Sequence, residues 1–311
     1  MLTTVDEKKH RRPTIRRPKP ATPERPNTDI VNEHKTGAFN EAVSISQFRL
    51  ETSNGAVKLC TFIGEMHAQI LDCCDSTKLI KNSMYVADRL DANKTAMILL
   101  EYGHEGPYGI GSNCVAELCN APDSKYKESK RIIGIDDRSV YLKDGRCDQS
   151  ILYDGDTLFC VLKKLDLANI KVYISNNYIK PIESSFTENN QKYLSAPGIV
   201  SRFLRHIYAS KTAISSKLNG MTTKADNAVY ELILDLRYLW SFVVDIRILI
   251  TILHGDPAVD EYVCVVGSKH WETITNELSN PVASDIDITR VTHETHTKCS
   301  CIKYQSLSAI A

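Results

Sequence analysis

Short apolar runs that alternate with helical stretches are the feature of this 311-residue sequence that most constrains its fold. Runs of this kind, rich in β-branched residues and free of polar interruptions, are typical of strands buried in a parallel sheet. The five runs are VKLCTFIG at 57–64, TAMILLEYG at 95–103, KRIIGIDDR at 130–138, KVYISNN at 171–177 and EYVCVVGSKH at 261–270. Their alternation with helices predicts the α/β class, with an open and mainly parallel sheet that carries helices on both faces.

The same patterns divide the chain into an arm, one domain and a tail. Residues 1–40 are predicted to be a disordered, basic and proline-rich arm, 41–285 the α/β domain, and 286–311 a C-terminal tail. A helical insert of about residues 195–254 precedes the last core strand, because apolar residues recur there every three or four positions. Its most apolar stretch, 239–253, contains two charged residues, so we expect a buried helix rather than a membrane span.

Charge restricts the partners that we expect. The formal net charge is zero, so the whole molecule carries no field that favours nucleic acid or anionic lipid, and no membrane partner is predicted. The arm is the exception, and it is either a solvated segment or a patch for nuclear localisation or nucleic-acid binding. The basic residues of that patch are Lys8, Lys9, Arg11, Arg12, Arg16, Arg17 and Lys19.

Ten cysteines bear on the cellular compartment. The start of the sequence lacks the apolar segment of a secretory leader, which favours an intracellular, cytoplasmic protein with reduced thiols, and the basic arm leaves a nuclear location open. Cys60 and Cys264 lie in predicted strands, where a free thiol behaves as a small apolar side chain. The tail sequence HETHTKCSC, with His293, His296, Cys299 and Cys301, offers zinc ligands, but the spacing fits no standard finger and an incidental cluster is favoured.

Polar groups follow four of the five runs, at the strand ends where open α/β sheets bind ligands. They are Glu65 and His67 in the turn GEMH, Glu101 near the end of the second run, Arg138 at the end of the third and His270 in the turn GSKH. Because the carboxyl ends of parallel strands lie at one edge of a sheet, we expect these groups to converge. Two histidines with neighbouring carboxylates predict a metal site or a base that activates water.

Each of these groups also has a plainer interpretation. A histidine at a strand end is often a hydrogen-bonded structural residue, and a glutamate that closes an apolar strand often caps a turn. The sequence Asp136-Asp137-Arg138 is compatible with a surface ion pair of little energetic value. Convergence is favoured because every group follows a predicted buried strand and two of the turns share the spacing Gly-x-x-His.

Taken in order, FIGEMH, MILLEYG, IIGIDDR and VCVVGSKH resemble the motifs of the superfamily that contains TraB/TIKI proteins, erythromycin esterases and ChaN-like proteins. The resemblance spans roughly residues 56–280 and rests on short motifs and their order. It implies a hydrolase, similar to esterases or peptidases, that activates water with or without a divalent metal. The reaction would take place in the crevice between the turns Gly64–His67 and Gly267–His270.

The resemblance also implies a role for each residue of the site. His67 and His270 would be metal ligands or general bases, with Glu65 tuning His67. Glu101 would be the acidic partner and a third ligand, and Arg138 would polarise the substrate or an oxyanion. The metal would be Zn, Mn or Co.

A second interpretation keeps the fold and omits catalysis. The crevice would then bind haem or a small ligand, or the chain would be a viral structural or interaction protein that uses its basic arm.

Asp245, in the insert, resembles an aspartate that members of the superfamily carry on a helix before the last motif. A Walker loop, a Gly-x-Gly-x-x-Gly turn after a strand and a Gly-x-Ser-x-Gly elbow are absent from the sequence, which disfavours nucleotide binding.

Overall fold

The computed structural model describes residues 42–52, 56–65, 82–103, 118–119, 123–136, 138–142, 155–194, 198–279 and 286–295. The predicted N-terminal arm lies outside the described residues, and so do His67 and the tail residues His296, Cys299 and Cys301.

Six strands form one sheet within the described residues. They are β1 (Ala42–Thr52), β2 (Val57–Glu65), β3 (Met97–Gly103), β4 (Ile132–Asp136), β5 (Glu261–Gly267) and β6 (Ile286–Thr295). Their order across the sheet is β4-β3-β5-β2-β1-β6. The four strands from β4 to β2 are parallel to one another, whereas β1 is antiparallel to both β2 and β6. The prediction of an open, mainly parallel α/β sheet is therefore confirmed.

Helices connect the strands. They are α1 (Asn82–Ala92), α2 (Arg138–Tyr141), α3 (Gly155–Lys164), α4 (Leu167–Ile174), α5 (Thr187–Leu194), α6 (Ile199–Gly220), α7 (Asp226–His254) and α8 (Ser268–Ser279). Between α4 and α5 the chain forms two π-helical turns, Ser175–Ile179 and Ile182–Phe186, on either side of Pro181. A proline inside a helix removes one amide donor and crowds the preceding turn, which accounts for the irregular hydrogen bonding there.

Both faces of the sheet are covered, as the uninterrupted apolar runs predict. Every residue of β5 is buried, and its side chains alternate between two cores. Tyr262, Cys264 and Val266 belong to the core under the helical insert, and Val263 and Val265 belong to the core under α1. Burial on both sides is what a strand needs if it is to be apolar at every position.

The helical insert begins earlier than the sequence indicated. Helices α3 to α7 fill the interval from Gly155 to His254, and the predicted strand at 171–177 is wrong because this segment is helical. The physical reason is spacing, since Ile170, Ile174 and Tyr178 are all buried and recur every fourth position.

The long helix α7 is buried in the core, as predicted for the stretch 239–253. Its apolar stripe of Leu232, Leu236, Leu239, Val243 and Ile246 is buried. The helix ends at His254, where Gly255 follows. No helix in the described parts of the chain is long and apolar enough to cross a membrane.

Two strands at one side of the sheet depart from the sequence analysis. β1 was not predicted, because its sequence AVSISQFRLET mixes polar and apolar residues without a clear period. Three of its polar side chains, Ser44, Ser46 and Gln47, are nevertheless buried, and Gln47 donates a hydrogen bond to Thr61 of β2 at 2.9 Å. The first ten residues of the predicted tail, Ile286–Thr295, form β6 and pair with β1 along its length.

Candidate functional site

The candidate site lies at the carboxyl edge that the four parallel strands share. β5 is central, with β2 on one side and β3 on the other, so the turn after β5 lies between the ends of its two neighbours. Glu65 at the end of β2 is the register partner of Gly267 at the end of β5. The position is the one where ligands bind in open α/β sheets.

His270 is the centre of this edge, and its ring is held by α7. The residue lies in the first turn of α8, directly after β5, and is buried. Its Nδ1 atom donates a hydrogen bond to Oδ1 of Asp245 at 2.6 Å. Asp245 lies in the middle of α7 and only 1% of its surface is exposed, so a buried carboxylate orients the imidazole.

The other ring nitrogen of His270 contacts Glu101. Nε2 lies 3.2 Å from Oε1 of Glu101, at the end of β3. The second carboxylate oxygen of Glu101 accepts a hydrogen bond from the backbone amide of Gly267 at 2.7 Å. Glu101 therefore connects the ends of β3 and β5 and completes a chain of contacts from α7 through His270 to β3.

Arg138 enters the same cluster from β4. Its Nε and Nη2 atoms donate to the two carboxylate oxygens of Asp136 at 2.6 and 2.5 Å, and Nη2 also lies 3.5 Å from Oε1 of Glu101. The interpretation of this sequence as a surface ion pair is wrong, because both Arg138 and Asp136 are buried. A two-pronged pair of this kind fixes the plane of the guanidinium group.

Electrostatics hold His270 in its charged form. Burial alone would lower the pKa of His270, but the carboxylates of Asp245 and Glu101 outweigh it and raise the pKa to about 10. Burial raises the pKa of Asp245, and the charge of His270 opposes that rise. The imidazole is therefore an imidazolium at neutral pH, with a carboxylate at each nitrogen.

Glu65 occupies a separate position within the same edge. It is buried, and its Oε1 atom accepts a hydrogen bond at 2.8 Å from the side-chain amide of Asn82, the first residue of α1. The predicted partner of Glu65, His67, lies outside the described residues.

Gly64, the glycine of the first Gly-x-x-His motif, lies against the residue that follows the second motif. A Cβ atom on Gly64 would lie 3.0 Å from both Cβ and Cγ of Trp271, which directly follows His270. The absence of a side chain at Gly64 thus lets α8 pack closely on β2. Gly64 lies within β2, so its role in the described structure is this close packing against α8.

Of the predicted site residues, the structure brings Glu101, Arg138 and His270 together and places Glu65 at the same edge. Asp245, proposed from the resemblance alone, lies closer to the ring of His270 than Glu101 does, at 2.6 Å against 3.2 Å. Sequence reasoning did not assign roles to Asp136 and Asn82. The position of Asp136 at the end of β4 was a usable signal, whereas nothing near Asn82 in the sequence indicated a pairing with Glu65.

The described residues do not by themselves form a metal site. Among them, no group of three or more His, Cys, Asp or Glu side chains is arranged to hold a metal ion. A histidine must be neutral to bind a metal, so a metal at His270 would have to displace the proton that Asp245 and Glu101 favour. The predicted ligand set of His67, His270 and Glu101 therefore depends on His67, and no step below is assigned to a metal.

Comparison with known proteins adds no relative. No family model matches the chain, no curated protein matches it, and no solved structure matches it.

Proposed function

We propose that this chain is a hydrolase of acyl substrates, similar to esterases or peptidases, which activates water at the carboxyl edge of the sheet. The observation that carries the proposal is the contact chain Asp245–His270–Glu101, with Arg138 beside it. Strand ends of four parallel strands supply or flank these groups, and a strongly perturbed histidine at such an edge is a candidate for catalysis.

The protonation state of His270 decides its role. An imidazolium cannot accept a proton. In this proposal His270 therefore acts as a positively charged hydrogen-bond donor and not as the general base. Together with Arg138 it stabilises the negative charge that develops on the carbonyl oxygen when water attacks. Asp245 and Asp136 hold the two cations in place during this step.

Glu101 is the base in this proposal. Its carboxylate lies beside both cations, and 13% of its side-chain surface is exposed, more than for the other charged groups of the cluster. Water gives one proton to Glu101, and the hydroxide adds to the acyl carbon. The tetrahedral intermediate then expels the alcohol or amine, which takes that proton from Glu101 as it leaves and so restores the carboxylate.

His67 and a divalent metal are the parts of the proposal that rest on the resemblance. His67, from the turn after β2, would act as a second base or would complete a site for Zn, Mn or Co with His270 and Glu101. Metal binding would require His270 to lose its proton, so a metal and the imidazolium exclude each other at this histidine.

One observation favours a second candidate, a binding protein without catalysis. Both ring nitrogens of His270 contact carboxylates, and buried ion networks also perturb pKa values when their role is structural. In this case the edge would bind haem or a small ligand without turnover.

Hydrolysis of a panel of p-nitrophenyl esters and peptide anilides tests the proposal. We would compare wild type, His270→Gln and the control His206→Gln, whose exposed histidine stacks on Phe242. Each protein would be assayed with a chelator and with added Zn, Mn or Co. We expect wild type and the control to turn over and His270→Gln to be slower by about 100-fold or more. No turnover by wild type under any of these conditions would favour the binding protein.

A further inference from the structure

The two cations of the site share an unusual contact pattern. Each has one short contact to a carboxylate that holds it and one longer contact to a common oxygen atom. His270 lies 2.6 Å from Asp245 and 3.2 Å from Oε1 of Glu101. Arg138 lies 2.5 Å from Asp136 and 3.5 Å from the same Oε1 atom of Glu101. Two independently anchored donors thus converge on one point, and Glu101 fills it.

Glu101 is the member of the cluster best placed to leave this point. Its side chain is 13% exposed, whereas those of Asp245 and Arg138 are 1% and 5% exposed. Its Oε2 atom is held by the backbone amide of Gly267, so Oε1 can move away while the residue stays at the edge. Withdrawal of Oε1 would leave the donors in place, because Asp245 and Asp136 hold them.

We propose that His270 and Arg138 form a binding site for the carboxylate group of a ligand. When no ligand is bound, the carboxylate of Glu101 occupies this site. The anchoring aspartates neutralise most of the charge of the two cations, so the site offers directed donors more than net positive charge. A singly charged carboxylate suits such a site, whereas a phosphate dianion would be repelled by Asp136 and Asp245.

The site also narrows the substrate class. Hydrolysis of an ester or an amide releases a carboxylate, and the same two donors would bind the carbonyl oxygen of the substrate before reaction. This statement about substrate rests on the proposed function, whereas carboxylate binding does not require turnover.

Titration with formate, followed by NMR of the His270 side chain, tests the binding site without an activity assay. The full-length chain would be compared as wild type, Glu101→Ala and Glu101→Gln, with chloride added to matched ionic strength as the control anion. His206 provides an internal control, since its exposed ring lies outside the cluster. Thermal melts would establish that each variant is folded.

We expect formate to bind Glu101→Ala at least tenfold more tightly than wild type, with Glu101→Gln between them because an amide competes less well than a carboxylate. Formate should also shift the side-chain nitrogen signals of His270 in the alanine variant back toward their wild-type positions, and the signals of His206 should not respond. A third variant, Glu101→Ala with Arg138→Gln, should bind formate at least tenfold more weakly than Glu101→Ala.

Two results would overturn the inference. The first is equal formate affinity in wild type and in the folded Glu101 variants, which would mean that Glu101 does not occupy the site. The second is unchanged affinity after removal of Arg138, which would mean that the two cations do not form one site. If formate binds as expected but the ester and anilide panel shows no turnover, the carboxylate site stands and the hydrolase proposal fails.

Discussion

His270 and Asp245 are 25 positions apart in the chain and 2.6 Å apart in the structure. The distance is measured from Nδ1 of His270, in the first turn of α8, to Oδ1 of Asp245, in the middle of α7. Helix α7 is otherwise apolar around this point, with Val243, Val244 and Ile246 all buried, so the carboxylate has been placed in the core against a large desolvation cost. The cost is offset because the imidazolium and the carboxylate meet there.

Replacement of Asp245 by asparagine should remove this compensation. We expect Asp245→Asn to lose about 3–5 kcal/mol of unfolding free energy, since it leaves the charge of His270 buried with one partner fewer. Chemical denaturation at pH 7 measures the loss. The control is Asp235→Asn on the same helix, a half-exposed partner of Lys217, which should cost about 0–1 kcal/mol. Equal losses for the two variants would contradict a special role for Asp245.

Stability should depend on pH through His270. The pKa of His270 is 6.5 in the unfolded chain and is raised to about 10 in the folded protein, so protonated His270 favours the folded state. Its contribution is fully present below about pH 6.5 and is lost as the pH rises through about 10. We would measure the unfolding free energy of wild type and His270→Gln between pH 6 and 11. The difference between them should shrink with rising pH, and a constant difference would count against the charged histidine.

Gly64 should tolerate no side chain. A Cβ atom there would lie 3.0 Å from Trp271, so Gly64→Ala must push α8 away from β2, and we expect a loss of about 1–3 kcal/mol. Gly220, at the end of α6, has no neighbour within 4 Å of the corresponding Cβ position. Gly220→Ala should therefore be neutral or stabilising by up to about 1 kcal/mol. Thermal denaturation of the two variants measures these effects, and equal melting temperatures would contradict the close packing of α8 on Gly64.

The described cysteines should differ in reactivity. Cys160 is free and exposed on α3, whereas Cys60 and Cys264 are free and buried in neighbouring strands. Burial raises the pKa of both strand thiols, so they remain protonated and unreactive in the native protein. Alkylation by iodoacetamide, mapped by mass spectrometry, should label Cys160 first and the strand cysteines only after denaturation. Rapid native labelling of Cys264 would contradict the buried sheet.

The sequence predicts the parallel part of the sheet well because burial on both faces leaves a local mark. β5 is apolar after its first residue, Glu261, and its run could be identified without knowing its neighbours. The segment 171–177 was predicted to be a strand because it contains β-branched residues. It is helical, and its buried residues follow a spacing of four. β1 could not be recognised as a buried strand from the sequence, because it buries polar residues that pair with groups of other strands, as Gln47 does with Thr61.

The candidate site was predictable where its groups follow strands and not where they meet across the core. Glu101 lies near the end of a strand, Arg138 and His270 each follow one, and the shared edge of parallel strands brings them together. In the sequence, Asp245 is only a charged residue within an apolar helical stretch. Its contact with His270 follows from the packing of α7 against α8. The protonation state of His270 could not be predicted either, since it depends on two carboxylates that the fold supplies.

The protonation state of His270 at neutral pH tests the account most directly, because both proposals require an imidazolium. We would record the side-chain nitrogen shifts of histidine-labelled protein from pH 6 to 11, and assign His270 by their loss in His270→Gln. The account predicts that both ring nitrogens are protonated at pH 7.5 and that the ring titrates near pH 10. A neutral ring at pH 7.5, titrating near pH 6.5, would contradict it.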